Sequence, residues 1–200
     1  MSRAAAVGLI VAALVVSVVA VLLLRPDPGG APAGAAGDEL PPIEPGQGVV
    51  VTLYFPGGDR LLHPVQLELP RQRSTEAQAR LLLQALLAGP EAAGADPATG
   101  LVAPLPEGVA VRHVFRPQPD VLLVDLQPPE DPEATAMGSR EELLAVFSLV
   151  DTLALNLDGI ERVGLLVGGV QQPTFAGHVD TGQLLLPDRR LVAAAESTGG

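Results

Sequence analysis

The side chains able to do chemistry are few and scattered. His63, His113 and His178 are the only imidazoles, and the chain contains no cysteine. Nucleophilic catalysis without cysteine needs a serine or threonine activated by a histidine base, and none of the three histidines stands beside a nucleophile motif such as G-x-S-x-G. Ser139 reads instead as a helix cap. A metal site needs imidazoles and carboxylates to converge, and the one local cluster is Gly177-His178-Val179-Asp180. A histidine and an aspartate two apart on an extended segment point the same way, so they can pair or share an ion. The plainer reading is a polar loop that closes the domain. Asp125, inside the apolar run Val124-Asp125-Leu126, has the kind of setting that raises a carboxyl pKa, yet no partner for it is visible in the sequence. A structural role explains it, with the carboxylate receiving backbone hydrogen bonds at a strand end. His113 falls in phase with Val111 and Phe115 and is expected to be partly buried, whereas His63, before Pro64, is expected to be exposed. Gly168-Gly169 follows a strand without opening a helix, so it makes no phosphate-binding loop. No catalytic, metal-ligating or cofactor-binding residue is assigned, no cofactor is implied, and the expectation is a non-enzymatic protein.

The elements that position these residues follow from the hydrophobic periods. Val49, Val51, Leu53 and Phe55 alternate with Val50, Thr52 and Tyr54, which is the pattern of a half-buried strand, and Gly57-Gly58-Asp59 supplies a turn. Val65, Leu67 and Leu69 give a second strand, with Pro64 placing its start at or near a sheet edge. Thr75 and Gln78 stand as a capping box before a helix over 76–88 that Gly89-Pro90 ends. A second hairpin is expected from residues 109–115 and 121–125, with Pro117 and Pro119 in its turn. Ser139 and Glu142 form another capping box, and the helix they open carries a core stripe of Leu143, Val146, Phe147, Val150, Leu153, Ala154 and Leu157. A strand follows at 163–167, and a weaker apolar run at 184–186. The order ββαββαβ predicts an α+β fold, a two-layer sandwich with a mostly antiparallel sheet and two helices on one face.

The ends of the chain carry a different message. Ala4 to Leu24 contains no charged residue, and about 21 residues at roughly 1.5 Å each cover a hydrocarbon core of roughly 30 Å. Residues 1–25 are therefore expected to be an uncleaved N-terminal signal anchor, a transmembrane helix spanning 4–24, because small-x-small cleavage options appear only at Ala31-Pro32-Ala33. Without cysteine no lipid can be attached after cleavage. Residues 26–48 form a Pro/Gly-rich tether, 49–192 the folded domain and 193–200 a disordered tail. The charge balance across the span places the domain outside the cytoplasm, on a single-pass protein of the cytoplasmic membrane. Beyond Arg25, ten arginines face 23 carboxylates, a formal charge of about −13 that should repel nucleic acid and anionic lipid head groups.

With the elements placed, the whole soluble domain resembles a GerMN domain, the module of sporulation and spore germination proteins. The match consists of Leu53-Tyr54-Phe55, Leu87 with Gly89-Pro90, and Leu105-Pro106 with Gly108. It continues through Val124-Asp125-Leu126, Gly138-Ser139 with Glu142, Thr152-Leu153, and Val163 to Gly169. The resemblance implies an envelope protein, in a family some of whose members are similar to ring-building modules of secretion assemblies. The best-known members are lipoproteins with two such domains, and this chain has neither a lipidation cysteine nor a second copy.

Two functions are therefore expected to compete. The first is an assembly or interaction module of the cell envelope, bound to the membrane through the N-terminal helix and to an envelope protein or a second copy of itself. The second is an envelope ligand-binding protein or a hydrolase acting on peptidoglycan, using the His178/Asp180 loop. The second helix is more apolar than one buried face needs, and Ser148, Thr152 and Asn156 make a small polar ridge at i, i+4, i+8 beside Leu149 and Leu155. Ser148, Leu149, Thr152, Leu155 and Asn156 are expected to be a contact surface for a partner.

Overall fold

The computed structural model describes residues 48–128 and 136–194. The expected span at 4–24 and most of the tether lie outside them. Among the described residues no helix is long and apolar enough to cross a membrane.

Strands β1 (Gly48–Pro56) and β2 (Leu62–Pro70) form an antiparallel hairpin, with Leu53 opposite Val65. Its inner face is Val51, Leu53, Phe55 and Leu69, as the period of two requires. Helix α1 (Thr75–Leu87) follows, and its cap is Ser74, whose side chain accepts from the Ala77 amide at 3.1 Å. Gln78, expected to complete a box with Thr75, accepts from the Gln72 amide instead. Strands β3 (Ala110–Gln118) and β4 (Val121–Gln127) form the second hairpin, with register shifts after Val111 and after Phe115. Helix α2 (Ser139–Ala154) then crosses over, and β5 (Arg162–Val167) pairs with β4 in parallel, Val124 opposite Leu165.

The α+β class, both hairpins and the mostly antiparallel pairing are as expected; the single sheet is corrected. There are two sheets, β1–β2 and β3–β4–β5, and one of the three strand pairings is parallel. The cause is the connection: a strand that leaves through a helix and returns beside its starting strand makes a crossover, which runs parallel. The apolar run at 184–186 adds a bridge from Leu185 to Val163, antiparallel to β5. One apolar core joins the inner face of β1 to Leu82 and Leu86 of α1, Leu149, Val150 and Leu153 of α2, and Val124, Val163 and Leu165 of the second sheet. A satellite cluster of Leu62, Leu144 and Leu191 lies under a C-terminal turn, Arg189–Leu191. Ala193, expected to begin a tail, donates its amide to the Leu62 carbonyl at 2.8 Å.

Candidate functional site

The expected contact ridge is where the structure departs most from the sequence reading. Ser148, Leu149 and Thr152 are fully buried inside the chain's own fold. The ridge is hydrogen-bonded to the outer edge of β1: Thr152 Oγ1 accepts from the Tyr54 amide at 3.2 Å, and Ser148 Oγ donates to the Tyr54 carbonyl. Asn156 Oδ1 accepts from the Thr52 amide at 2.8 Å while its Nδ2 donates to the Thr52 carbonyl at 2.7 Å. The spacings explain the fit, because four residues of helix rise about 6 Å and two residues of strand advance about 6.7 Å. Helix α2 thus takes the place of a third strand, satisfying an edge that would otherwise be open. Leu155 is half-buried at the helix C-cap. The ridge faces β1, so it is corrected from a partner surface to an internal one.

The polar loop after β5 is fastened by a residue that the sequence casts as part of a helix cap. The Gly138 amide donates to Glu141, and Glu142 is free to point inward, where it is fully buried. Its Oε1 accepts from the amides of Ala176 at 2.8 Å and Val179 at 3.0 Å, and its Oε2 accepts from the His178 amide and from His178 Nδ1, both at 2.8 Å. Burial pushes this carboxyl up, but the Ala176 and Val179 amides, the His178 ring and the His178 amide outweigh it and hold it below the usual range. Asp180 turns elsewhere, accepting from the Gly182 amide and from Gln183 Nε2, each at 3.0 Å. His178 and Asp180 therefore take separate partners.

Asp125 is nearly buried near the end of β4 and accepts from the Gly169 amide at 2.7 Å, the backbone hydrogen bond expected for it. It also has side-chain partners the sequence does not reveal, Arg112 Nη1 at 3.3 Å and His113 Nδ1 at 3.5 Å. His113, expected to be partly buried, has a side chain 56% exposed and stacked on Phe115 with ring centroids 5.7 Å apart. His63 pairs with Asp59 at 2.9 Å in the β1–β2 turn. Among the described residues no group of three or more histidines and carboxylates is placed to hold a metal ion. One buried acid, Asp151, is fastened among the described residues by a single hydrogen bond, from the Asp188 amide at 2.9 Å.

A cleft of about 760 Å³ lies where the end of β1, the loop 100–106 and the start of α2 meet. Among the described residues its walls include Pro56, Val102, Pro104, Pro106, Met137 and Leu144, with Arg60, Arg140 and Glu141 the ionisable ones. The Arg140 guanidinium donates to the Arg60 carbonyl, and Arg60 has φ of 70°, the one non-glycine residue described in the left-handed region. Such a backbone costs of order 1–3 kcal/mol, and the Arg140 clamp holds it in place.

A family model described as Germane, sporulation and spore germination, matches residues 52–173. No curated protein matches the chain. Among solved structures it is similar to the tandem GerMN domains of the sporulation protein GerM from Bacillus subtilis, at 21% identity and a TM-score of 0.53, over 67% of this chain and 44% of that one. It thus spans less than half the length of that tandem protein. It is also similar to the first GerMN domain of the same protein, at 22% identity and a TM-score of 0.52, over 70% of this chain and 98% of that one. At these identities the likeness is one of fold.

Proposed function

Because the chain belongs to the sporulation and spore germination family, as a GerMN-domain protein, we propose that it is a non-enzymatic interaction module of the cell envelope. In this reading it is held to the cytoplasmic membrane by the uncharged segment 4–24, with its GerMN domain outside the cytoplasm, and it binds another envelope protein through the cleft beside α2. The observation that carries the reading is the contrast between the buried acids and the cleft. Glu142 and Asp125 are occupied by backbone amides of the chain itself, whereas the cleft, among the described residues, is open, walled by proline and aliphatic side chains, and lined by few charges. Such a surface suits an extended apolar segment of a partner, since it offers area and shape with few polar groups to desolvate.

The cysteine-free sequence makes the test clean. Val102, 56% exposed in the cleft wall, and Val50, 66% exposed on β1, are each replaced by cysteine in the full chain and coupled to a thiol-directed photo-crosslinker in cells of the native host. The expected result is a membrane-fraction adduct of defined mass for Val102→Cys and not for Val50→Cys. Equal labelling at both positions, or an intact chain in the soluble fraction, overturns the reading.

A further inference from the structure

The C-terminal segment is fastened to a buried acid. Asp151, in the last turn of α2, is fully buried, its Oδ1 accepts from the Asp188 amide at 2.9 Å, and among the described residues its Oδ2 has no hydrogen-bond partner. From Asp188 the chain turns through Arg189–Leu191, sets Leu191 against Leu62 and Leu144, and runs parallel to the start of β2, where Val192 bridges Leu62 and the Ala193 amide reaches the Leu62 carbonyl. That carbonyl lies on the outer edge of β2. Alternation along the strand puts Pro64, Gln66, Glu68 and Pro70 on the same edge, where the two prolines offer no N–H. The strap thus covers the β2 edge at Leu62, before the first of the two prolines.

We propose that residues 188–193 form a proton-linked strap over the β2 edge, closed on a protonated Asp151 and loosened when that carboxyl ionises. Either form accepts the Asp188 amide and leaves Oδ2 without a partner among the described residues, but the neutral carboxyl does so at much smaller desolvation cost than the ionised one. The groups facing Asp151 are Tyr54 from β1 and Asp188 and Arg189 from the strap. Asp188 is held ionised by Arg190 at 2.7 Å and opposes a second negative charge, while Arg189 partly offsets it. Burial first, then the Asp188 charge, pushes the Asp151 carboxyl up to about 6, against the Asp188 amide and Arg189, which lower it. With the strap lifted, Asp151 returns toward its ordinary 3.8. The closed state therefore holds the proton more tightly, and closure weakens as pH rises from about 4 to about 6, by up to ~100-fold, then levels off. Lifting the strap bares the Leu62 carbonyl and uncovers Leu144, which also lines the cleft. The strap stands independently of what the cleft binds.

Hydrogen exchange of the full chain, corrected for intrinsic rates, reads the strap through the amides of Asp188 and Ala193, with the Leu165 amide in β5 reporting global unfolding. Protection at both strap amides should fall up to ~100-fold between about pH 4 and pH 7 while staying below that of Leu165, and Asp151→Asn should remove the pH dependence with the strap closed. Protection that is constant with pH in the wild type, or a dependence that survives in Asp151→Asn, overturns the proposal. If that variant fails to fold, the wild type decides alone: the Asp151 carboxyl carbon resonance should titrate with a midpoint near 6, and a midpoint near the ordinary 3.8 overturns it equally.

Discussion

Replacing Glu142 by glutamine tests whether one buried carboxylate fastens the loop after β5. Four donors converge on it: the amides of Ala176, His178 and Val179 and the ring of His178. Glutamine keeps the shape and one acceptor, but its NH₂ meets N–H groups wherever the other oxygen stood, so at least one buried amide is left unpaired against a second donor. Hydrogen bonds to a charged group contribute about 1.5–3 kcal/mol each, and an unsatisfied buried N–H costs about 1–3 kcal/mol. A loss of at least ~3 kcal/mol follows for Glu142→Gln, lowering Tm by about 10 °C for a domain of this size. Urea unfolding measures the global loss, and exchange at Ala176, His178 and Val179 shows whether the loop detaches first. The pH dependence carries a second signature. Glu142 is held below its ordinary 4.5, so its contribution is complete above that value and disappears as pH falls through the folded pKa. Asp151 has the opposite sign, since its raised pKa adds stability as pH falls from about 6 toward 3.8. The wild type should therefore be most stable near about pH 4, and Glu142→Gln should flatten only the acid limb. Wild-type stability in the variant, with undiminished protection at 176–179, would refute the role assigned to the carboxylate.

Removing the cap on β1 should be costly in proportion to the backbone groups it leaves bare. Thr152→Val strands the Tyr54 amide and is expected to cost about 1–3 kcal/mol, and Asn156→Leu strands both the amide and the carbonyl of Thr52 and should cost more, as measured by urea unfolding. Neutral effects from both would mean that water reaches the edge. At Gly164 an added Cβ would stand 2.5 Å from Leu123 Cδ2 and 3.0 Å from Leu184 Cδ2, so Gly164→Ala should destabilise by about 1–3 kcal/mol. Combining it with Leu123→Ala should recover part of that loss in a double-mutant cycle, and strict additivity would show that the two side chains do not meet.

The hairpins and both helices are legible in the sequence because their signals are local: a period of two closed by glycine or proline, a period of 3.6 closed by a cap and Gly89-Pro90. The parallel pairing of β5 is not, because alternation in Val163, Leu165 and Val167 says that a strand exists and not which neighbour it takes. Glu142 resembles half of a capping box because its spacing from Ser139 fits, while the amides that claim it come 34 to 37 residues later. The surplus of apolar residues on α2 signals burial more directly than it signals a partner. A helix apolar over more than one stripe is a buried helix, and a buried helix can carry a polar side chain only where something in the fold receives it. Glu142, Ser148, Asp151 and Thr152 are all fully buried on α2. On so apolar a helix each of them must join it to another segment, as Glu142 joins the loop, Ser148 and Thr152 the β1 edge, and Asp151 the C-terminal strap. Asp151 is the member of that set left with one oxygen unpaired among the described residues, which is why burial favours its protonated form, whereas the four donors on Glu142 favour the ionised one.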